Sequence, residues 1–301
     1  MSMELESLRI FVKVAELASF TRAAEQLGMQ KARVSLHVRA LEAEVSVRLL
    51  HRTTRSVRLT PDGETFLARA KRLVTEADEL GAMFQTKGAL RGKVRVDLPV
   101  SLARAVIIPR LPELLAAHPQ LEIQLSTTDR RVDVVREGFD CVLRIGALGD
   151  SDLVAQRLGA LAMMNYVSPA YLRRYGRPRT LADLDGHVLV HYSLGLGADP
   201  PTFEFHDGKG YRERPMHCLV TVNNADAYEA ACLAGLGIIQ APRYGHAAAI
   251  ARGDLVEILP EHTAEPMPVH LVHAHGRNVP KRTRAVLTWI AQTLAPHLAG
   301  M

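Results

Sequence analysis

Ten side chains between Gln30 and Arg58 have the types and spacing to hold a nucleic acid: Gln30, Lys31, Arg33, Ser35, Leu36, His37, Arg39, Arg52, Arg55 and Arg58. Arginine and lysine neutralise phosphates and donate to guanine edges. Glutamine and serine bond base edges, and leucine can touch a thymine methyl. Residues 28–60 carry seven basic and two acidic side chains, an excess of five. The whole chain of 301 residues has a net charge of +5, so everything outside this segment is balanced. A basic excess confined to one short segment is the footprint of a phosphate-binding surface; for any single arginine the alternative is a solvated charged face.

Other chemistries find less support. Among thirteen histidines, His270, His273 and His275 cluster most closely, but on a strand only His273 and His275 share a face, and a closed metal site needs four ligands. His187 and His191 flank a Val-Leu-Val run that reads as strand. Cys141, Cys218 and Cys232 form no C-x-x-C pair; they read as reduced thiols, the alternative being a redox switch with an exposed low-pKa thiol. No G-x-S-x-G elbow, H-E-x-x-H pair or P-loop occurs, and Gly235-x-Gly237 lacks the third glycine of a dinucleotide fingerprint. We expect no enzyme, no metal and no cofactor.

The basic residues need a scaffold. Leu5, Leu8, Phe11, Val12 and Ala15 recur at helical spacing and predict a helix over 4–17. Ser19 or Thr21 can cap a second helix, and Gly28 can end it in a left-handed turn. A third helix, from about Lys31 to Glu44, buries Val34, Val38 and Leu41, so Ala32, Arg33, Leu36, Arg39 and Ala40 fall away from that stripe. Such a face fits a major groove. Leu49 to Leu59 then alternates around Thr53-Thr54, predicting a hairpin wing that carries Arg52, Arg55 and Arg58.

Thr60-Pro61-Asp62 has the capping hydroxyl, first-turn proline and acid of a helix start. Phe66, Ala70, Leu73, Ala77, Leu80 and Phe84 follow at alternating spacings of four and three, a heptad seam. The seam either joins two copies of the chain or packs the helix on its own domain. Gly88 to Gly92 reads as a hinge. Beyond it, strands (Val94 to Leu98, Leu121 to Leu125, Cys141 to Ile145) alternate with helical stretches (Ala103 to Ala117, Arg131 to Glu137), the pattern of a doubly wound α/β domain. A second α/β lobe follows through Asn165 to Tyr171, Leu219 to Asn224 and Gly235 to Ile239. Val269 to His273 returns to the first lobe, and Lys281 to Leu294 closes it. Two lobes joined by two crossings can close on a small molecule. With 48% hydrophobic and 23% charged residues, no long apolar run and acids near the start (MSMELESLRIF), we expect a cytoplasmic globular protein without a membrane span.

The ordered run F-x-x-V-A-E-x-x-S-F-T-R-A-A-E-x-L (Phe11 to Leu27), Val34-Ser35, Leu41-Glu42, R-L-L-x-R-T-T-R-x-V-R-L-T-P-x-G-E (Arg48 to Glu64) resembles the LysR-type transcriptional regulators. So do Thr128 to Ala155, V-S-P-A-Y-L (Val167 to Leu172) and A-G-L-G-I (Ala234 to Ile238), so the likeness spans nearly the whole chain. It implies an α/β protein with an N-terminal winged helix-turn-helix (1–60), a long linker and dimerisation helix with hinge (61–90), and a two-lobed periplasmic-binding-protein-like effector domain (91–301; lobe I 91–163 and 268–301, lobe II 164–267). It implies binding to double-stranded DNA at a palindromic operator, a small-molecule effector, self-association as a dimer within a tetramer, and RNA polymerase as a further partner. The family usually has Ser or Thr where Gln30 stands, and often an arginine where Leu36 stands. Its effector positions fall on Ser101, Thr127 or Thr128, Arg144, Ser168, Phe203 and Asn224. Ser101 follows Pro99 at a helix start, where free N–H groups suit an anion. Arg144 can grip a carboxylate with two bonds, or pair structurally with Asp129, Asp133 or Asp140. The competing class is a ligand-binding protein whose N-terminal helices serve assembly alone.

Overall fold

The computed structural model describes residues 3–52, 57–82, 90–149, 153–197, 199–275 and 279–299, and of residues 52, 72, 75, 76 and 78–82 the backbone alone. The chain divides into two units, residues 1–88 with 135–138, and 89–134 with 139–301.

The first unit is built from α1 (Leu5–Leu17), α2 (Phe20–Leu27), α3 (Lys31–Glu44), β1 (Leu50–Arg52), β2 (Val57–Leu59) and α4 (Pro61–Ala82). Ala18 ends α1 in the left-handed region, and Ser19 rather than Thr21 caps α2, its hydroxyl accepting the Arg22 N–H at 3.3 Å. Gly28 stops α2 at a φ of 63°, which a residue without a Cβ adopts freely. The buried stripe of α1 is Leu8, Ile10, Phe11 and Val14; Leu5 lies at the surface instead. These pack on Ala23 and Ala24 of α2 and on Val34, Val38 and Leu41 of α3, whose small and branched side chains let the helices cross closely. Thr60 closes the corner between wing and α4. Its hydroxyl donates to the Arg48 carbonyl at 2.7 Å and accepts the Gly63 N–H at 2.9 Å. Of the predicted seam, Phe66 meets Phe11 edge to face and Ala70 is buried, so the first turns of α4 complete their own domain's core. Leu73 is 48% exposed; Phe84 lies outside the described residues.

The second unit opens with β3 (Arg91–Leu98), α5 (Val100–Leu102), a π turn (Ala103–Ile107) and α6 (Ile108–Ala117). The π turn carries the Ile108 N–H back five residues to the Ala103 carbonyl, just before Pro109 and Pro112, which cannot donate. Strands β4 (Gln120–Thr127), β5 (Cys141–Ile145) and β6 (Val154–Leu161) follow. The predicted helix over Arg131 to Glu137 is absent: Val132 and Val134 bury alternately against Val142 and Val272, an extended, period-two pattern ending in a turn over 134–138. The chain crosses to lobe II through β7 (Met163–Val167), α7 (Pro169–Tyr175), β8 (Val188–Tyr192), the hairpin β9 (Thr202–His206) and β10 (Tyr211–Pro215), β11 (His217–Val222), α8 (Ala225–Leu233), β12 (Ile239–Pro242), α9 (Ala247–Arg252) and β13 (Val256–Ile258). It returns by β14 (Met267–His273) and ends with α10 (Lys281–Leu294).

Lobe I is a five-stranded sheet in the order β4-β3-β5-β14-β6, with β3 parallel to β4 and β5 and β14 antiparallel to β5 and β6. In lobe II, β12-β7-β13 and the parallel pair β11-β8 meet through a bridge from Leu189 to Ile238. Gly237 allows that meeting: a Cβ there would lie 2.8 Å from backbone atoms of both Leu189 and Val190. The glycines of Gly235-Leu236-Gly237 are therefore accounted for by a turn at φ 80° and by this close approach. No described helix is long and apolar enough to cross a membrane.

Candidate nucleic-acid interface and ligand cleft

The outward face of α3 is set by its inward one. With Val34, Val38 and Leu41 buried, Lys31, Arg33, Leu36 and Arg39 are all exposed, Leu36 by 66%. Gln30 takes the N-cap position, but its side chain makes no capping bond. It is exposed at the helix end that reaches base edges most readily. None of Lys31, Arg33, Arg39 or Arg58 forms an ion pair with another described residue, whereas Lys13 and Lys71 of the same unit both pair with Glu16. Ser35 and His37 are half-buried; His37 Nδ1 lies 3.0 Å from the buried Ser7 hydroxyl of α1, which holds its ring toward the protein.

Behind α3, Glu42 fixes the wing: one carboxylate oxygen accepts the Leu49 and Leu50 N–H groups at 3.0 and 3.1 Å. In the antiparallel wing Arg58 sits opposite His51 and Arg52 opposite Val57. Arg58 is exposed; the Arg52 side chain and Arg55 lie outside the described residues.

In the second unit a cleft of about 850 Å³ opens between the lobes. Of the residues expected to hold an effector, Ser101, Thr128 and Arg144 line it. The other four do not. Thr127 ends β4 beside the cleft-lining Thr128. Ser168 is buried and caps α7 by accepting the Tyr171 N–H. Phe203 lies wholly inside the lobe II core with Val188, Leu189 and Ile238. Asn224 caps α8 by accepting the Ala227 N–H at 2.9 Å. A polar residue at a helix start and an aromatic in a strand thus serve local structure here.

Arg144 is paired, though with none of the three acids that sequence suggested. Its Nη1 donates to Asp97 Oδ2 at 2.9 Å, with Asp97 fully buried and Arg144 15% exposed. Burial pushes the Asp97 carboxyl above its ordinary range, and the hydrogen bonds from Arg144 and Ser126 pull it back in part. Asp97 Oδ1 and Arg144 Nη2 are both buried without a hydrogen-bond partner among the described residues, behind the cleft wall that Arg144 lines. Across the cleft, Ser101 Oγ lies 2.6 Å from the Tyr244 hydroxyl, which burial pushes up to about 12 in pKa and which therefore stays protonated. Sequence reasoning named Asp129 only as a partner for Arg144 and missed Asp97, Tyr192 and Tyr244. An acid directly after a strand end, as in Thr128-Asp129, was the available signal.

Among the described residues no group of three His, Cys, Asp or Glu side chains is placed to hold a metal. His187 is committed to Tyr171 (2.9 Å) and His191 to the Asp199 carbonyl (3.1 Å). Cys141 and Cys232 are buried and their thiols are raised in pKa, Cys232 to about 12, which removes them as thiolates near neutral pH.

A helix-turn-helix with a basic face and wing, in one chain with a two-lobed cleft, defines a ligand-responsive DNA-binding regulator. Comparison with known proteins makes the class specific. The family model for the bacterial regulatory helix-turn-helix protein, lysR family, matches residues 5–64, and that for the LysR substrate binding domain matches residues 87–295. The chain is 40% identical over 296 residues to the uncharacterized HTH-type transcriptional regulator YhjC of Escherichia coli K12, covering 98% of this chain and 99% of that one. It is 34% identical over 295 residues to an HTH-type transcriptional repressor of Pseudomonas aeruginosa, covering 98% and 93%. The structure of CrgA, a LysR-type regulator from Neisseria meningitidis, superimposes with a TM-score of 0.61 at 28% identity, over 96% of this chain and 98% of that one. The chain belongs to the LysR-type transcriptional regulator family: a DNA-binding regulator with an effector-binding domain, and not an enzyme.

Proposed function

We propose that α3 enters the major groove of a palindromic operator and that Gln30, Lys31, Arg33, Ser35, Leu36 and Arg39 meet bases and phosphates there, while His37, bonded to Ser7, props the helix from behind. Arg52, Arg55 and Arg58 of the wing hold flanking phosphates or the minor groove. The observation that carries this reading is the exposed basic face of α3 opposite its buried stripe, with Lys31, Arg33 and Arg39 in no ion pair among the described residues. The bound molecule is a dimer joined through α4, two dimers forming a tetramer. Leu73, exposed on α4 beside Val74, which still packs on the unit's own core, supports that pairing. The readers (1–60), linker (61–90) and effector domain (91–301) act in series. A small molecule held by Ser101, Thr128 and Arg144 changes the spacing of paired readers, and with it DNA bending or contact with RNA polymerase, in the cytoplasm where operator DNA lies.

The test is the salt dependence of operator binding. For each phosphate contacted, the slope of log affinity against log salt should be about −0.9, and replacing Arg33 and Arg58 with alanine should flatten it by roughly one contact each. Binding that ignores salt would favour the assembly reading of the N-terminal helices. The operator itself comes from sequencing the genomic fragments that the purified chain retains.

A further inference from the structure

Asp129 follows β4 in lobe I, and its carboxylate is spent on donors from both lobes. Oδ1 accepts the Val100 N–H, at the start of α5 in lobe I, at 3.0 Å. Oδ2 accepts the Ala225 N–H, at the start of α8 in lobe II, at 2.7 Å. Burial first, and then the neighbouring Asp129 charge, raises the Tyr192 hydroxyl at the end of β8 above its ordinary pKa. Around it lie the Ser101–Tyr244 hydroxyl pair and an ion-pair cluster of Arg104 with Asp226 (3.2 Å) and Glu229 (2.6 Å), the arginine 58% exposed and so well screened. Charge-assisted bonds from fixed backbone donors are the strong members of such a set.

Free N–H groups in the first turn of a helix are where an α/β cleft holds an incoming anion. In this chain they already hold one. We propose that Asp129 is a built-in ligand of the cleft: its carboxylate ties lobe I to the start of α8 in the place an effector carboxylate would take. The residue thereby sets ligand class. A molecule entering the cleft is anchored on other parts of its wall, and a carboxylate gains the α8 amides only by displacing Asp129. This rests on the cleft being the effector site; the test needs neither DNA nor effector, so its failure leaves the operator reading untouched.

Asp129→Ala removes the carboxylate and keeps its Cβ, so formate can refill the space. In the full-length chain the variant should lower the melting midpoint of the effector domain by about 5 °C. Formate should restore it saturably, while chloride at equal ionic strength should not. Wild type, and Asp129→Asn whose amide fills the space, should not respond. An equal response in all three, or none in Asp129→Ala, overturns the proposal. If Asp129→Ala does not fold, Asp129→Asn decides by amide hydrogen exchange. Asparagine keeps one acceptor for these two N–H groups, so exchange at Val100 or at Ala225 should quicken about tenfold or more, and unchanged exchange at both overturns the proposal.

Discussion

Gly63→Ala gives a sharp test of how the wing is seated. In an open helix this substitution stabilises by about 1 kcal/mol. Here a Cβ on Gly63 would lie 2.0 Å from the Leu49 carbonyl oxygen and 2.9 Å from its carbon. Both neighbours are backbone, so no side chain can swing aside. Strand β1 and the first turn of α4 would have to part by roughly 1 Å or more, stretching the Thr60 N–H to Leu49 carbonyl bond, now 3.0 Å. Overpacking of this kind costs about 1–3 kcal/mol, and the rigid partner argues for the upper part of that range. Net of the helix gain, destabilisation of about 2 kcal/mol lowers the melting midpoint of a domain this size by roughly 10 °C. Differential scanning calorimetry of the full chain should show the DNA-binding transition shifted and the effector-domain transition in place. Operator affinity should fall because Arg58 rides on the displaced wing. Gly28→Ala is the control: φ is 63° but nothing lies within 4 Å of the new Cβ, so the cost is backbone strain alone, about 1–2 kcal/mol. If Gly63→Ala melts at or above the wild-type temperature, the wing is not seated against α4 as described.

Other outcomes follow from single contacts. Glu42→Ala removes the acceptor for the Leu49 and Leu50 N–H groups and should destabilise the DNA-binding unit by about 2–3 kcal/mol, measured by chemical denaturation. Leu36→Arg should leave stability unchanged, since Leu36 is exposed, and should shift the selected operator toward guanine, read by sequencing bound fragments. His187, His270 and His273 have pKa values lowered chiefly by burial. Their neutral forms are favoured on folding, so stability is present above their unfolded pKa of 6.5 and is lost as pH falls below it. Melts between pH 7.5 and 5.5 should therefore show the effector-domain transition dropping, and a flat profile would contradict the burial of these rings.

The reader was legible because its grammar is local. Ser19, Gly28, the Val34-Val38-Leu41 stripe and Thr60-Pro61 each act within one or two turns, and the structure uses them as caps, stops and a buried face. The heptad spacing of α4 was visible too, but not its division between Phe66 and Ala70, which finish their own core, and the outward Leu73. Periodicity reports that a stripe exists; what covers it depends on the neighbouring helices. Val132 and Val134 misled for a related reason: seven residues are too few to separate period 3.6 from period 2.

Sequence alone determined the class of protein, the order of its parts and the concentration of positive charge on one short segment, because composition, periodicity and capping are properties of neighbours along the chain. Tertiary structure decided the chemistry of the cleft. Arg144 meets Asp97 across 47 residues, and Asp129 meets the Ala225 amide across 96. These partners are chosen by which strand ends the sheet order brings together, and an acid held between two helix starts looks, along the chain, like any other acid after a strand.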